Sequence, residues 1–176
     1  MKYRKLGNTG LIVSEVALGT MQFGGKMNMG NLGQEDTTRM IKFALERGIN
    51  FIDTADVYSL GESETLVGNA LKGVRKEIVL ATKVRLPMGE NFNRSGATRV
   101  NILREVEDSL KRLQTDYIDL YQVHGWDSNT PLEETLRTLC PASAGNGKWR
   151  PSVNINGEDP CERNESITVQ TRRLPS

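Results

Sequence analysis

A chain of 176 residues suits one domain of ordinary size. Apolar residues make up 37% of it and charged residues 26%, which excludes a disordered composition; a net charge of +1, with acids and bases interspersed, gives no electrostatic ground for a nucleic acid or a membrane surface as partner. No apolar run reaches the length of a membrane span and no apolar leader follows the basic residues 1–5, so the expected compartment is the cytoplasm.

In chain order, residues 3–6 and 11–14 read as the strands of a small hairpin, with Gly7-Asn8-Thr9-Gly10 as its turn. A short apolar run over 16–20 ends in the small residues Gly19 and Thr20, and a loop rich in glycine and methionine follows over 21–33. The spacing of Met40, Ile41, Ala44 and Leu45 predicts a helix over 35–47, stopped by Gly48. The unit then repeats. A strand over 51–55 leads to a helix over 62–72, with Leu66, Val67, Ala70 and Leu71 on one face. Glu62 and Glu64 lie in its first turn, where the helix dipole favours acids. A third strand covers 78–83. Thr98 can cap a helix running to 114, on which Ile102, Leu103, Val106, Leu110 and Leu113 keep helical spacing. Residues 117–123 form the fourth strand, and Pro131 opens one more helix.

Strand and helix alternating four times predict an α/β fold with a parallel sheet under covering helices. The near-continuous apolar strands fit burial on both faces. Periodicity alone leaves an open doubly wound sheet and a closed barrel both standing. The phosphate fingerprint of the open sheet, Gly-x-Gly-x-x-Gly after the first strand, is not matched by Gly19-Thr20-Met21-Gln22-Phe23-Gly24-Gly25.

After Leu139 the rhythm stops. Residues 140–176 hold four of the six prolines, with glycine, asparagine and serine between them. They read as an irregular or disordered tail, with one short strand at most where Val153 and Ile155 alternate with asparagines. A shift of reading frame near Leu139 would account for such a break. Cys140 and Cys161, the two cysteines, are expected as free thiols, with a disulfide between them as the alternative, and Asn164-Glu165-Ser166 carries no weight as a glycosylation sequon without a secretory signal. One histidine with no cysteine or second histidine near it leaves no metal-ligand cluster.

The carboxyl ends of parallel strands form the catalytic rim of a barrel. Four polar residues fall there: Asp53 near the end of the second strand, Tyr58 five residues on, Lys83 ending the third strand and His124 ending the fourth. Singly, each has a structural explanation: a turn acid, a loop aromatic, a strand-end charge, a lone structural histidine. Together they suit carbonyl reduction. An ordinary phenol, with a pKa of about 10, gives up its proton reluctantly near neutrality. A neighbouring ammonium stabilises the phenolate, a carboxylate keeps the ammonium charged, and a neutral imidazole can donate to a carbonyl oxygen. None of these groups supplies a hydride, which calls for a nicotinamide cofactor.

Three stretches carry a resemblance. Gly48-Ile49-Asn50-Phe51-Ile52-Asp53-Thr54-Ala55-Asp56-Val57-Tyr58 with Gly61-Glu62-Ser63-Glu64, then Leu80-Ala81-Thr82-Lys83, then Leu113-Gln114-Thr115-Asp116-Tyr117-Ile118-Asp119-Leu120-Tyr121-Gln122-Val123-His124, resemble the aldo-keto reductase family. The likeness runs from the hairpin to Leu139. It implies the first four βα units of a parallel (β/α)8 TIM barrel with an N-terminal hairpin, an incomplete barrel over 1–139 followed by an unrelated segment over 140–176. It implies reduction of a small-molecule aldehyde or ketone with NADPH, with Tyr58 as proton donor, Lys83 and Asp53 tuning it and His124 orienting the carbonyl. Gly19, Thr20 and Met21 match the loop that touches the cofactor, beside Asp53, and Trp126 is a candidate wall of the substrate pocket. The remaining contacts to the cofactor belong, by the same resemblance, to the second half of the barrel. Four strands alone predict open edges prone to self-association and a fragment without cofactor binding as the alternative outcome. A regulatory protein like the family's channel β subunits is the third expectation.

Overall fold

The computed structural model describes residues 1–139, 149–152 and 169–173. The hairpin pairs β1 (Tyr3–Lys5) with β2 (Ile12–Ser14), antiparallel. Four strands then follow in parallel, each neighbour to the next: β3 (Leu18–Gly19), β4 (Phe51–Asp53), β5 (Val79–Val84) and β6 (Tyr117–Val123). The covering helices are α1 (Gln34–Glu46), α2 (Glu62–Ala70), α3 (Arg99–Leu113) and α4 (Leu132–Leu139), each packed on the next. This is the parallel sheet with alternating helices of a partial (β/α)8 barrel.

Local chemistry sets most boundaries. The Thr98 hydroxyl accepts from Asn101 N at 3.3 Å and starts α3, as its cap position predicts. Beyond the end of α1, Gly48 takes φ +80°, and a Cβ there would lie 2.8 Å from the Tyr3 hydroxyl. That hydroxyl donates to Gly48 O, and Asn50 accepts from Ser14 N, so the hairpin is fastened at the amino ends of the strands, away from the rim.

The core joins Ile52, Leu80, Val84, Ile118 and Tyr121 of the sheet to Ile41, Val67, Ile102, Val106 and Leu113 of the helices. Met40, expected on the inner face of α1, is exposed; Ile41 and Ala44 do the burying. Side-chain direction alternates along β5. Thr82 turns outward and donates to the buried Glu64 of α2 at 2.6 Å, while Lys83 turns to the opposite face. Arg112 of α3 closes the outer layer on Glu64 at 2.6 Å.

The free edge of β6 is not left open. β8 (Val169–Arg173) pairs with it antiparallel, and β7 (Trp149–Ser152) pairs with β8. An unpaired strand edge is a row of donors and acceptors ready for any strand within reach. These two strands lie in the segment that the sequence reads as irregular; Val153, Ile155, Cys140, Cys161 and the sequon at Asn164 lie outside the described residues. Among the described residues no helix is long and apolar enough to cross a membrane.

Candidate active site

Register brings the strand ends together. Gly19 stands opposite Asp53, Asp53 opposite Ala81, Lys83 opposite Gln122 and Val84 opposite Val123. Past β6, His124 N donates to Val84 O at 2.8 Å, which fixes the histidine level with the end of β5. The Lys83 Nζ then makes three contacts: 2.6 Å to Asp53 Oδ2, 2.8 Å to Thr54 O and 3.4 Å to the Tyr58 hydroxyl. The His124 ring meets the Tyr58 ring edge-on, with centroids 5.7 Å apart. The structure therefore unites all four residues that the sequence singles out at the rim.

Tyr58 owes its position to an unusual turn. It opens a 3-10 segment, Tyr58–Gly61, in which Ser59 (φ +50°) and Leu60 (φ +53°) are left-handed although neither is glycine. Each such residue costs on the order of 1 kcal/mol and persists only where its surroundings hold it. Two restraints are visible. Asp56, fully buried, accepts from Val57 N at 2.6 Å and donates its own N–H to Lys83 O, tying the turn to β5. The glycine loop packs from the other side: a Cβ on Gly24 would sit 2.8 Å from Ser59 Cβ, and Gly25 N donates to Glu62 at 3.2 Å. Asp56, Ser59 and Gly24 escape a reading of sequence because their role is conformational. The Gly24-Gly25 pair is the signal that could have flagged the close approach.

The electrostatics separate an acid from a base. Burial, then the repulsion of Glu64, raises the Asp56 pKa to about 8. Burial, then the Lys83 ammonium, holds the His124 imidazole below its ordinary value, so the ring is neutral at pH 7. The Nδ1 of His124 is buried without a partner.

Of the expected cofactor residues, Thr20 is buried, with its N–H and hydroxyl on Asp53 O, and Ser63 donates to Thr20 O. Gly19 is exposed at the rim and a Cβ there would meet nothing within 4 Å; Met21 is exposed beside it. The space over Gly19 is thus open to a ring or ribose next to the Lys83–Asp53 pair. Trp126, 70% exposed, lines a cavity of about 430 Å³ at the end of β6 with Leu132, Leu136 and Leu139 of α4. Tyr58, Lys83 and His124 are not among its lining residues. No group of three metal-binding side chains occurs among the described residues.

Comparison with known proteins gives a consistent result. Residues 15–147 match the Aldo/keto reductase family. The chain is 45% identical over 141 residues to the aldo-keto reductase YhdN of Bacillus subtilis (strain 168), covering 79% of this chain and 42% of that one. It is 36% identical over 143 residues to a probable voltage-gated potassium channel subunit beta of Arabidopsis thaliana, with the same two shares, 79% and 42%. Among solved structures, an aldo-keto reductase from Bacillus halodurans in its holo form superposes with a TM-score of 0.68 at 42% identity, over 79% of this chain and 45% of that one. The chain thus spans less than half the length of these relatives.

Proposed function

The chain belongs to the aldo/keto reductase family, and on that premise we propose that its strand-end cluster reduces an aldehyde or ketone to the alcohol, with NADPH as cofactor. The observation that carries this reading is the Lys83 ammonium, shared between Asp53 at 2.6 Å and the Tyr58 hydroxyl at 3.4 Å, with His124 edge-on to the phenol.

When bound, the cofactor would supply the hydride for the carbonyl carbon. Everything else falls to side chains. Tyr58 gives its phenolic proton to the carbonyl oxygen, and Lys83 stabilises the phenolate left behind. Asp53 and Thr54 O hold the ammonium where it can do so. His124 has its proton on Nε2, because a bare acceptor at the buried, partnerless Nδ1 costs less than an orphaned N–H. Its Nε2–H then donates to the same carbonyl oxygen. Gly19, Thr20, Met21 and Asp53 border the open space in which the cofactor would lie.

The test is a titration of the 176-residue chain with NADPH, followed by cofactor fluorescence, with Tyr58→Phe as the turnover control. Saturable binding at micromolar cofactor, with turnover lost in Tyr58→Phe, is the expected result. A flat titration of a folded sample overturns the reading and leaves the tetrad without a reaction to perform. The likeness to a channel β subunit supports a second reading, a binding protein on the same scaffold. It predicts cofactor binding with no turnover on any carbonyl.

A further inference from the structure

Arg85 is the residue that the cluster leaves unexplained. It follows Val84, the last residue of β5, and is two places from Lys83. Its φ is +128°, a backbone conformation that side-chain-bearing residues seldom adopt. The strain is held from two sides: Gly96 N donates to Arg85 O at 2.7 Å, and His124 N donates to Val84 O at 2.8 Å. Strain over-determined in this way is characteristic of ligand clamps.

The guanidinium it aims is unused. Arg85 is half-buried, its Nε is buried without a partner, and it joins no ion pair among the described residues. The acid on the same rim, Asp127, feels the charge of Arg85 but forms no ion pair with it, its oxygens being taken by other donors. Asp127 Oδ2 accepts from Ala97 N at 2.7 Å and from the Thr130 hydroxyl at 2.6 Å, and Oδ1 accepts from Asn129 N at 3.0 Å. Asp53 is committed to Lys83. The Nη1 of Arg85 faces Gly125, where a Cβ would lie 4.0 Å away, so nothing projects between the guanidinium and the residue after His124. Its charge is felt at His124, where it adds to burial and Lys83 in disfavouring the imidazolium.

Resting on the carbonyl-reducing reading above, we propose that Arg85 binds a carboxylate carried by the substrate, holding it beside the carbonyl that Tyr58 and His124 engage. A half-buried guanidinium that forms no ion pair is stabilised by a planar anion that accepts two of its N–H groups at once. The substrate class is therefore an oxo-acid, or an aldehyde or ketone with an acidic substituent, over its neutral counterpart.

Two ketones that differ only in one charge and one methyl group test this: 4-acetylbenzoate and its methyl ester. Binding to the 176-residue chain is read by NMR at the imidazole of His124, the chain's one histidine. The acid is expected to bind about tenfold more tightly than the ester, a difference that weakens in high salt. The ratio falls towards one in Arg85→Gln and in Arg85→Gly, the second of which accepts the backbone conformation and keeps the test open should the first fail to fold. Arg85→Lys keeps part of it. If both ketones shift His124 but the ratio is near one, or survives Arg85→Gln, Arg85 is not a carboxylate anchor while the carbonyl site stands. If neither ketone shifts His124, both readings fall. If Arg85→Gln weakens NADPH and leaves the ketone ratio as it was, the anion recognised is a cofactor phosphate and the substrate assignment is overturned.

Discussion

The Lys83 ammonium lies 3.4 Å from the Tyr58 hydroxyl, while its shorter contacts, 2.6 Å and 2.8 Å, go to Asp53 and to Thr54 O. The lysine is thus anchored by the acid and the backbone, and reaches the phenol as the weakest of three contacts. That ordering separates two variants. Tyr58→Phe removes only the long contact, so turnover should fall by roughly 10²–10⁴ with little change in melting temperature. Lys83→Met also strands Asp53 without its partner, and should lose about 1.5–3 kcal/mol of stability along with turnover. Equal melting of the two variants would show that Lys83 is not held as described.

His124 should titrate below its ordinary value, because burial and Lys83 disfavour its charged form. The folded state then binds a proton less readily than the unfolded chain. As pH falls through the unfolded value of about 6.5 towards the lower folded value, this residue subtracts stability; above that window it contributes nothing further. Lys83→Met removes the second-largest cause of the lowering and should raise the pKa. A single histidine gives a single imidazole signal, and an unmoved titration midpoint in Lys83→Met would refute the assignment.

The tetrad was legible because chemistry and period coincide. Asp53, Lys83 and His124 fall at the ends of strands whose apolar runs are unmistakable, and Tyr58 sits in a motif that fixes its distance from Asp53. The boundaries were legible to within a residue or two, with β6 at 117–123 as expected. What sequence could not supply was the backbone's own conformation. Nothing in the letters Ser59, Leu60 and Arg85 announces positive φ; Ser59 is packed against Gly24 and Arg85 is held by Gly96, neighbours that the local sequence does not show. The pairing of β8 with β6 was equally hidden. Thr171 and Arg172 stand against Ile118 and Tyr117 in a segment with no apolar alternation, so the pairing rests on backbone groups rather than on pattern.

Gly68 offers a test of the helix layer. Alanine usually stabilises a helix interior relative to glycine, by about 1 kcal/mol. Here a Cβ at Gly68 of α2 would lie 2.5 Å from Leu113 O at the end of α3. That neighbour is backbone and cannot step aside cheaply, so the sign reverses. Gly68→Ala should destabilise by roughly 1–3 kcal/mol in denaturant unfolding. A stabilised variant would mean that α2 and α3 pack less closely than described.

Asp56 makes the last case, because its cost depends on pH in a direction opposite to most acids. It is fully buried, its Oδ2 has no partner, and burial with the repulsion of Glu64 lifts its pKa to about 8. The unfolded chain ionises the same group near its model value of 3.8. Between those values the folded protein keeps a proton that the unfolded chain has lost. Stability therefore falls as pH rises across the window, by at most about 1.4 kcal/mol per pH unit, and levels off above the folded value. Asp56→Asn keeps an acceptor for Val57 N and carries no charge at any pH, so it should escape this slope. Measured by denaturant unfolding, the variant should gain on the parent steadily from pH 5 to pH 8. A constant difference between the two proteins over that range would mean that Asp56 is already ionised in the folded state, and that its bond to the Tyr58 turn is made by a carboxylate.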